Sequence, residues 1–183
     1  MAWCRNIIKV FIVLSLSLLF GCGEGESTEQ ARLDLNKRHV YKQDNLSLQL
    51  PDGWAVVEDF YPTETRRRIN VITDVGASLA IDIFDESLAP TIAEHFANYI
   101  TAILPPEAEG SSSIDSGEVV YGDALGLFAA VTLSAPFNVG MHIEALPVTQ
   151  GKKQAYFIFN TQPELKGEVS RHVVNIISTV LLN

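Results

Sequence analysis

Hydrophobic positions in the first half of the chain recur at every second residue. The stretch "LSLQLPDGWAVV" alternates Leu46, Leu48 and Leu50 with polar residues, breaks at Pro51-Asp52-Gly53 and resumes at Trp54. Period-two alternation is typical of half-buried strands, and the Pro-Asp-Gly break is typical of a turn. The pattern therefore predicts two strands joined by a hairpin or a tight corner.

Further strands follow in the same period. The segments "RINVITD" and "SLAIDIFD" alternate in the same way, and four later segments, "IDSGEVVY", "LGLFAAVTLSA", "VGMHIEALPV" and "QAYFIFNTQ", are separated by short turns. Even spacing and short turns indicate an antiparallel meander. The run "AYFIF" is apolar at every position, which predicts a central strand covered on both faces.

Two segments change to the helical period. One begins at Thr91, with Glu94 completing a capping box, and ends before Pro105-Pro106; the other begins at Thr161, with Glu164 as its box partner. Their apolar stripes are Ile92, Phe96, Ile100 and Ile103 in the first helix and Leu165, Val169, Val173, Ile176 and Val180 in the second. Two helices and about seven or eight strands, grouped rather than alternating, predict an α+β sandwich with helices on an antiparallel sheet.

The first residues have the organisation of a secretory leader. A short start carrying Arg5 and Lys9 precedes an apolar run from Val10 to Phe20, and small residues follow. The run has about eleven residues, whereas a membrane-spanning helix needs about twenty. We therefore predict a signal peptide over residues 1–21.

The end of this leader together with the next residue, "LFGC" at positions 19–22, resembles the bacterial lipobox. The resemblance implies cleavage before Cys22 and lipidation of its thiol, and multiple acyl chains anchor a protein durably. Gly23 follows the cysteine, and the absence of aspartate there resembles outer-membrane cargo. We expect a lipid-anchored protein of the bacterial envelope that faces the periplasm. An ordinary signal peptide, cut nearby to leave a soluble protein with a free thiol, is the alternative.

Beyond Cys22 the sequence predicts an acidic tether over residues 22–38 and one domain over residues 39–183. The formal net charge is −9, and loss of the leader with Arg5 and Lys9 would make it −11. Nucleic-acid binding needs clustered Lys and Arg. A domain as acidic as this one is therefore not expected to bind nucleic acid. Only Cys22 is left after cleavage, so no intramolecular disulfide is expected. We expect a monomer.

The order of elements resembles the PsbP-like family. The resemblance rests on the opening "LSLQLPDGWAVV", the mid-chain "TIAEHFANYITAIL", the turn "YGDALGLFAAV" and the closing strand "AYFIFNTQ" before a terminal helix. It implies an α/β/α sandwich, and the leader favours the DcrB-type lipoprotein branch. Members of this family bind proteins rather than catalyse reactions. The resemblance thus implies a non-catalytic module with an unidentified envelope protein as partner.

One basic run stands out in the acidic chain. Arg66, Arg67 and Arg68 are consecutive, and guanidinium groups bind carboxylates and phosphates in a bidentate manner. They are a candidate interaction patch for an acidic partner or a lipid headgroup, or they pair locally with Glu58, Asp59 or Glu64. The nearby aromatic residues, Trp54, Phe60 and Tyr61, are either core or the rim of a binding patch.

No catalytic, cofactor or metal signature is present in the sequence. It has no Gly-x-Ser-x-Gly elbow and no His-Glu-x-x-His or Cys-x-x-Cys spacing. The acids of "DIFDE", at 82, 85 and 86, are too few for a calcium loop. The histidines at 39, 95, 142 and 172 are interpreted as solvated or half-buried structural residues. We therefore expect no enzyme, no cofactor and no metal, with a small-ligand or lipid carrier, using the space between helix and sheet, as the alternative.

Overall fold

The computed structural model describes residues 38–108 and 111–183. The predicted leader, Cys22 and the tether before residue 38 lie outside the described residues. Within the described residues, ten strands form two antiparallel sheets, and two α-helices accompany them. The elements are β1 Arg38–Gln43, β2 Leu46–Pro51, β3 Ala55–Thr63, β4 Arg66–Ile72, β5 Ser78–Asp85, α1 Ile92–Ile103, β6 Ser112–Tyr121, β7 Ala124–Leu133, β8 Val139–Gln150, β9 Lys153–Thr161, α2 Lys166–Ile177 and β10 Leu181–Leu182.

The larger sheet has seven strands in the order β3-β4-β5-β9-β8-β7-β6. The strand β9 occupies its centre, as the run "AYFIF" predicts, and residues 155–159 are all buried. Successive side chains of a strand point to opposite faces. Phe157 and Phe159 accordingly pack in one core, and Tyr156 and Ile158 pack in another.

Each core is closed by one helix. On one face α1 contributes Phe96, and on the other α2 contributes Val169, Val173 and Ile176. The smaller sheet, in the order β1-β2-β10, shares the second core through its buried leucines, such as Leu48. The result is an α+β fold with helices on both faces of an antiparallel sheet, as predicted.

The early turn is a corner and not a hairpin. Residues 51–53 carry the chain from β2 in the small sheet to β3 at the edge of the large sheet. Gly53 has φ +82°, and a Cβ there would lie 2.7 Å from the carboxyl group of Asp74. Glycine is therefore required at this corner. Trp54, only 2% exposed, follows as a core residue.

The two helix starts have different outcomes. At Thr91 the side chain accepts a hydrogen bond from the Glu94 amide, and the Glu94 carboxylate accepts one from the Thr91 amide, so this capping box is confirmed. The second box is wrong, because Thr161 is the last residue of β9 and stands opposite His142. A 3₁₀ turn over Pro163–Leu165 follows, and α2 begins at Lys166 without a side-chain cap.

Candidate functional site

The three consecutive arginines of β4 alternate across the sheet. Arg67 faces one side and is 7% exposed, whereas Arg66 and Arg68 share the other side. Arg67 donates from Nε to Asp59 Oδ1 at 2.8 Å and from Nη2 to Asp59 Oδ2 at 2.6 Å. Its Nη2 also donates to the carbonyl oxygen of Gln43 at 3.3 Å. The side chain thus links β4 to β3 and to the small sheet.

A tyrosine completes this first ion pair. The hydroxyl of Tyr41 donates to Asp59 Oδ2 at 2.5 Å. Burial alone would raise the pKa of Asp59, but the hydrogen bonds from Arg67 and Tyr41 outweigh it and lower that pKa. Burial and the neighbouring Asp59 charge raise the pKa of Tyr41 to about 12. The group therefore remains an ionised carboxylate beside a neutral phenol at neutral pH.

Asp82 is the centre of a second cluster, on the α1 side of the sheet. Its side chain is fully buried. Arg68 binds it in a bidentate manner, from Nε at 2.8 Å and from Nη2 at 2.5 Å. Arg66 Nε lies 3.7 Å from Asp82 Oδ1, and His95 Nε2 lies 2.9 Å from Oδ2. One buried carboxylate thus holds two arginines and a histidine.

The charges in this cluster support one another. Burial would raise the pKa of Asp82, but the hydrogen bonds from His95 and Arg68 overcome that effect and lower it. The hydrogen bond to Asp82 raises the pKa of Arg68 against its own desolvation. A bidentate buried pair of this kind holds both partners in fixed positions. The arrangement fixes the positions of these side chains. Both oxygens of the Asp82 carboxylate already have hydrogen-bond partners.

The histidine of this cluster differs from its prediction. His95 is 6% exposed and so is buried rather than half-buried. Its ring stacks on Tyr156 with centroids 4.9 Å apart and meets the edge of Phe84 at 5.4 Å. The position follows from the helix period, because residue 95 is three residues after Ile92 and shares its face. That spacing is the signal which sequence reasoning missed.

A third polar group lies on the opposite face, where Leu146 of the same strand packs in the α2 core. Glu144 Oε1 lies 2.7 Å from His142 Nε2, and Glu144 Oε2 accepts from the Tyr121 hydroxyl at 2.7 Å. His142 is 6% exposed, so the half-buried interpretation is wrong here too. Burial raises the pKa of Tyr121 to about 12. The described structure therefore has two buried carboxylate–histidine pairs, one on each face.

The local-pairing alternative for the arginines is confirmed only for Arg67, which pairs with Asp59. The carboxylate that binds Arg68 and Arg66 is Asp82, and Glu58 instead accepts from Asn70. A signal for this pairing exists in the sequence. When the apolar residues of β4 and β5 are aligned as an antiparallel pair, Arg68 stands directly opposite Asp82.

The outer surface of the β3–β4 hairpin carries exposed aromatic groups. Phe60 is 41% exposed and Tyr61 is 61% exposed, whereas Trp54 belongs to the core. The Arg67 guanidinium lies 5.9 Å from the centroid of the Tyr61 ring. The structure thus separates the three aromatic residues, with Trp54 as core and the other two on the surface.

A pocket of ≈ 110 Å³ adjoins this hairpin. Its lining includes Tyr61, Glu64, Arg66, Asp85 and Lys153. The Nε atom of Arg66 is buried and has no hydrogen-bond partner among the described residues. A buried donor without an acceptor costs stability unless something supplies one. We call the surface formed by Phe60, Tyr61 and Arg66 the hairpin surface.

The described residues contain neither a group of metal ligands nor a helix that could span a membrane. In ranges 38–108 and 111–183, no three His, Cys, Asp or Glu side chains are grouped so that they could share a metal ion. No helix in this part of the chain is long and apolar enough to cross a membrane.

Comparison with known proteins gives structural likeness alone. No family model and no curated protein sequence matches the chain. The chain is similar to the solution structure of cyanobacterial PsbP (CyanoP) from Synechocystis, with TM-score 0.49, 13% identity, and coverage of 90% of this chain and 99% of that one. It is also similar to LpqN, which is involved in cell envelope biogenesis of Mycobacterium tuberculosis, with TM-score 0.40, 7% identity, and coverage of 80% and 91%.

PsbP is the family that the sequence resembles, and the DcrB-type branch stays a prediction. Lipidation at Cys22 and the role of Arg66, Arg67 and Arg68 in docking also stay predictions. The geometry restricts the docking role of the arginines, because Arg67 and Arg68 each bind a buried carboxylate in a bidentate manner.

Proposed function

We propose that this chain is a non-catalytic envelope lipoprotein that binds another protein through the hairpin surface. The observation that carries the proposal is the exposure of Tyr61 beside the pocket that Arg66 also lines, at a hairpin whose edge strand exposes Phe60 as well. Tyrosine and arginine are enriched among the residues that dominate binding energy at protein interfaces. The partner would place an apolar group on the Tyr61 ring and a carboxylate at the exposed part of the Arg66 guanidinium.

The hairpin surface is preorganised for such a role. The guanidinium of Arg67 lies over the ring of Tyr61, and it is itself fixed by Asp59. Asp82 holds Arg66 within 3.7 Å of its own carboxylate. Side chains that are already ordered lose less entropy on binding, which leaves more of the contact energy as affinity.

The anchor is the second part of the proposal. Lipid on Cys22 would attach the chain to the membrane, and the acidic tether after it would hold the domain in the periplasm. The fourteen residues 23–36 of this tether, treated as a flexible coil, would reach roughly 20 Å on average. A domain that stands clear of the bilayer can present the hairpin surface to another envelope protein. We propose that the lipid anchor lies in the outer membrane, because Gly23 and not an aspartate follows the cysteine.

The carrier alternative is not favoured. A carrier would use space between a helix and the sheet, whereas the pocket beside Tyr61 and Arg66 is lined by strand and loop residues. We also interpret both buried histidines as structural, since each bonds a buried carboxylate within the core. A hydrolytic activity that survives purification and is lost on replacing His95 or His142 would contradict this interpretation.

In-cell crosslinking followed by mass spectrometry identifies the partner, and Arg66→Ser then tests the surface. This substitution leaves Arg68 and His95 on Asp82, whereas replacing Arg67 or Arg68 would damage folding as well as docking. We expect weaker binding of the captured protein, with a larger loss at low salt than at high salt, because exposed charges are screened over about 8 to 10 Å at physiological ionic strength.

Arg171→Ser is the matched control, because Arg171 is an exposed arginine on α2, away from the hairpin. Equal losses in the two variants would mean that only net charge matters. Full affinity in Arg66→Ser would remove Arg66 from the interface.

A further inference from the structure

The two edges of the large sheet are protected to very different degrees. An exposed edge strand offers unpaired backbone groups to other chains, and proteins protect such edges with bulges, prolines and basic residues. The edge strand β3 contains Pro62, and its pairing with β4 shifts register between Val56 and Glu58 and again between Phe60 and Thr63. It is therefore poorly suited to accept another strand.

The edges of the small sheet are also protected. The strand β1 carries Arg38 and Lys42 along its exposed length, and β10 has only two residues. A strand of that length provides too little ladder for stable pairing, and charged side chains oppose it.

The opposite edge of the large sheet, β6, has no bulge, no proline and no basic residue, and its charged residues are the two acids Asp115 and Glu118. It pairs with β7 over ten consecutive residues without a register shift, from Ser112 opposite Leu133 to Tyr121 opposite Ala124. Its sequence, "SSIDSGEVVY", contains no proline and no basic residue. Among the described residues β7 is its only hydrogen-bonded neighbour in the sheet. The edge is long, regular and open.

The turn that follows β6 fixes which backbone groups point outward. Residues 122 and 123 form a two-residue loop, and Gly122 has φ +61°, as the first position of a type II′ hairpin turn requires. The closing pair of such a hairpin, Tyr121 and Ala124, exchanges hydrogen bonds. Alternation along the ladder then directs the N–H and C=O groups of residues 112, 114, 116, 118 and 120 away from β7.

The side chains of these outward-bonding residues give the edge its chemistry. They lie on the α1 face, because Ser116 stands opposite Ala129 and Ile114 opposite Val131, both members of the α1 core. Ile114 is 47% exposed and Val120 is 64% exposed. Between them lies Glu118, also exposed. A strand added here would meet two apolar side chains separated by an acid.

The charge of this edge is uniformly negative. Asp115 and Glu118 are the charged residues of β6, and β7 has none. A second copy of the chain would bring its own acids to the same edge, in a protein of net charge −9. Cross-strand pairs of opposite charge stabilise a sheet, whereas like charges destabilise it. Charge complementarity therefore favours a basic occupant.

We infer that the outer edge of β6 docks an extended segment of another protein as an added strand of the sheet, with apolar residues opposite Ile114 and Val120 and a basic residue opposite Glu118. Backbone hydrogen bonds would supply the affinity, and the alternate side chains would supply the specificity. This surface goes beyond the hairpin surface and lies at the opposite edge of the sheet. Either surface can fail its test while the other stands.

The probe is a capped peptide of the same length as β6, called the valine–lysine peptide, which places valine opposite Ile114 and Val120 and lysine opposite Glu118. It is labelled with a fluorophore and titrated against the full chain purified in detergent. We expect saturable binding to the wild type, and no binding of the same peptide N-methylated at every residue, because methylation removes its donors. Equal binding of the methylated peptide would overturn the inference, since attraction between charges alone would explain it.

Two variants test the register. Ser116→Pro removes an outward N–H without breaking the ladder to β7, and proline is tolerated at such edge positions. We expect binding to fall by about tenfold or more in Ser116→Pro, because the added strand loses one hydrogen bond and meets the proline ring, and to remain unchanged in Ser116→Ala. Circular dichroism confirms that both variants fold.

The second variant reverses the charge. In Glu118→Lys the valine–lysine peptide should bind about fivefold more weakly, and a valine–glutamate peptide should gain by a similar factor. No saturable binding by wild type, or unchanged binding in Ser116→Pro, would refute the inference. A concentration-dependent dimer that Ser116→Pro abolishes would also refute it, because the occupant would then be a second copy.

Discussion

Replacing Asp82 with asparagine should destabilise the domain strongly, because this fully buried carboxylate neutralises Arg68 and Arg66. Asparagine keeps the shape of the side chain but loses the charge. Its amide nitrogen would also face the N–H donors of Arg68 or the His95 ring. The variant leaves a guanidinium partly buried without a counter-charge. No other acid pairs with Arg68 among the described salt bridges.

The chain contains its own control for the size of this effect. Asp85 lies three residues further along β5, and its side chain is 55% exposed and pairs with Lys153, which is 37% exposed. Removing one partner of a buried pair costs about 3–5 kcal/mol. Exposed pairs contribute about 0–1 kcal/mol because solvent screens them. Asp82→Asn should therefore lose about 3 kcal/mol more than Asp85→Asn.

Thermal and urea unfolding of the full chain in detergent, followed by circular dichroism, measure this difference. For a domain of this size 3 kcal/mol corresponds to a shift in Tm of roughly 10 °C. Asp85→Asn should stay within roughly 3 °C of wild type, as expected for an exposed pair. Losses that are equal within about 1 kcal/mol would refute the reasoning, because burial of the pair would then have no energetic consequence.

Acid adds an independent arm to the same experiment. The folded protein lowers the pKa of Asp82 below its usual value of 3.8, through its bonds to His95 and Arg68. The unfolded chain binds the proton first, so the stabilisation is complete above that value and is lost as the pH falls through the lower, folded pKa. The difference between wild type and Asp82→Asn should shrink in this range. A constant difference down to about pH 2 would contradict the sign.

Two further predictions concern the cap of α1 and the lipidation site at Cys22. Thr91→Ala should destabilise the domain by about 1 kcal/mol, since it removes the cap of α1; Thr101→Ala, in the same helix, serves as the control, and equal effects would contradict the capping argument. Cys22→Ser should abolish incorporation of radiolabelled palmitate and leave precursor unprocessed, whereas Cys4→Ser should retain the label. Membrane retention of unlabelled wild type and mutant alike would instead indicate an uncleaved anchor.

The sequence predicts best where a local pattern and its tertiary environment agree. The uninterrupted apolar run of β9 could be assigned to the centre of the sheet, because only a strand covered on both faces can bury every side chain. Thr91 caps a helix for a local reason, namely its bond to the amide of Glu94. The same Thr-x-x-Glu spacing fails at Thr161, because pairing with β8 keeps that residue in a strand.

The arginine run shows what the pattern of one strand alone cannot predict. Its three side chains look alike in sequence, but strand alternation sends Arg67 to one face and its neighbours to the other. Their partners depend on register with β3 and β5, which local pattern does not contain. Of the small sheet the sequence predicts only β2, for a related reason. Its outer strand β1 is almost wholly exposed, so it lacks the alternation that indicates a strand.

The central claim is that the hairpin surface binds another protein, and site-specific photo-crosslinking in living cells tests it most directly. A photoreactive phenylalanine analogue replaces Tyr61, which is 61% exposed, or Val139, which is 45% exposed at the start of β8. The account predicts a discrete crosslinked protein from position 61 and none from position 139, with the position-61 product diminished by Arg66→Ser. Identical product patterns from both positions, or no product from position 61 at full expression, would contradict it.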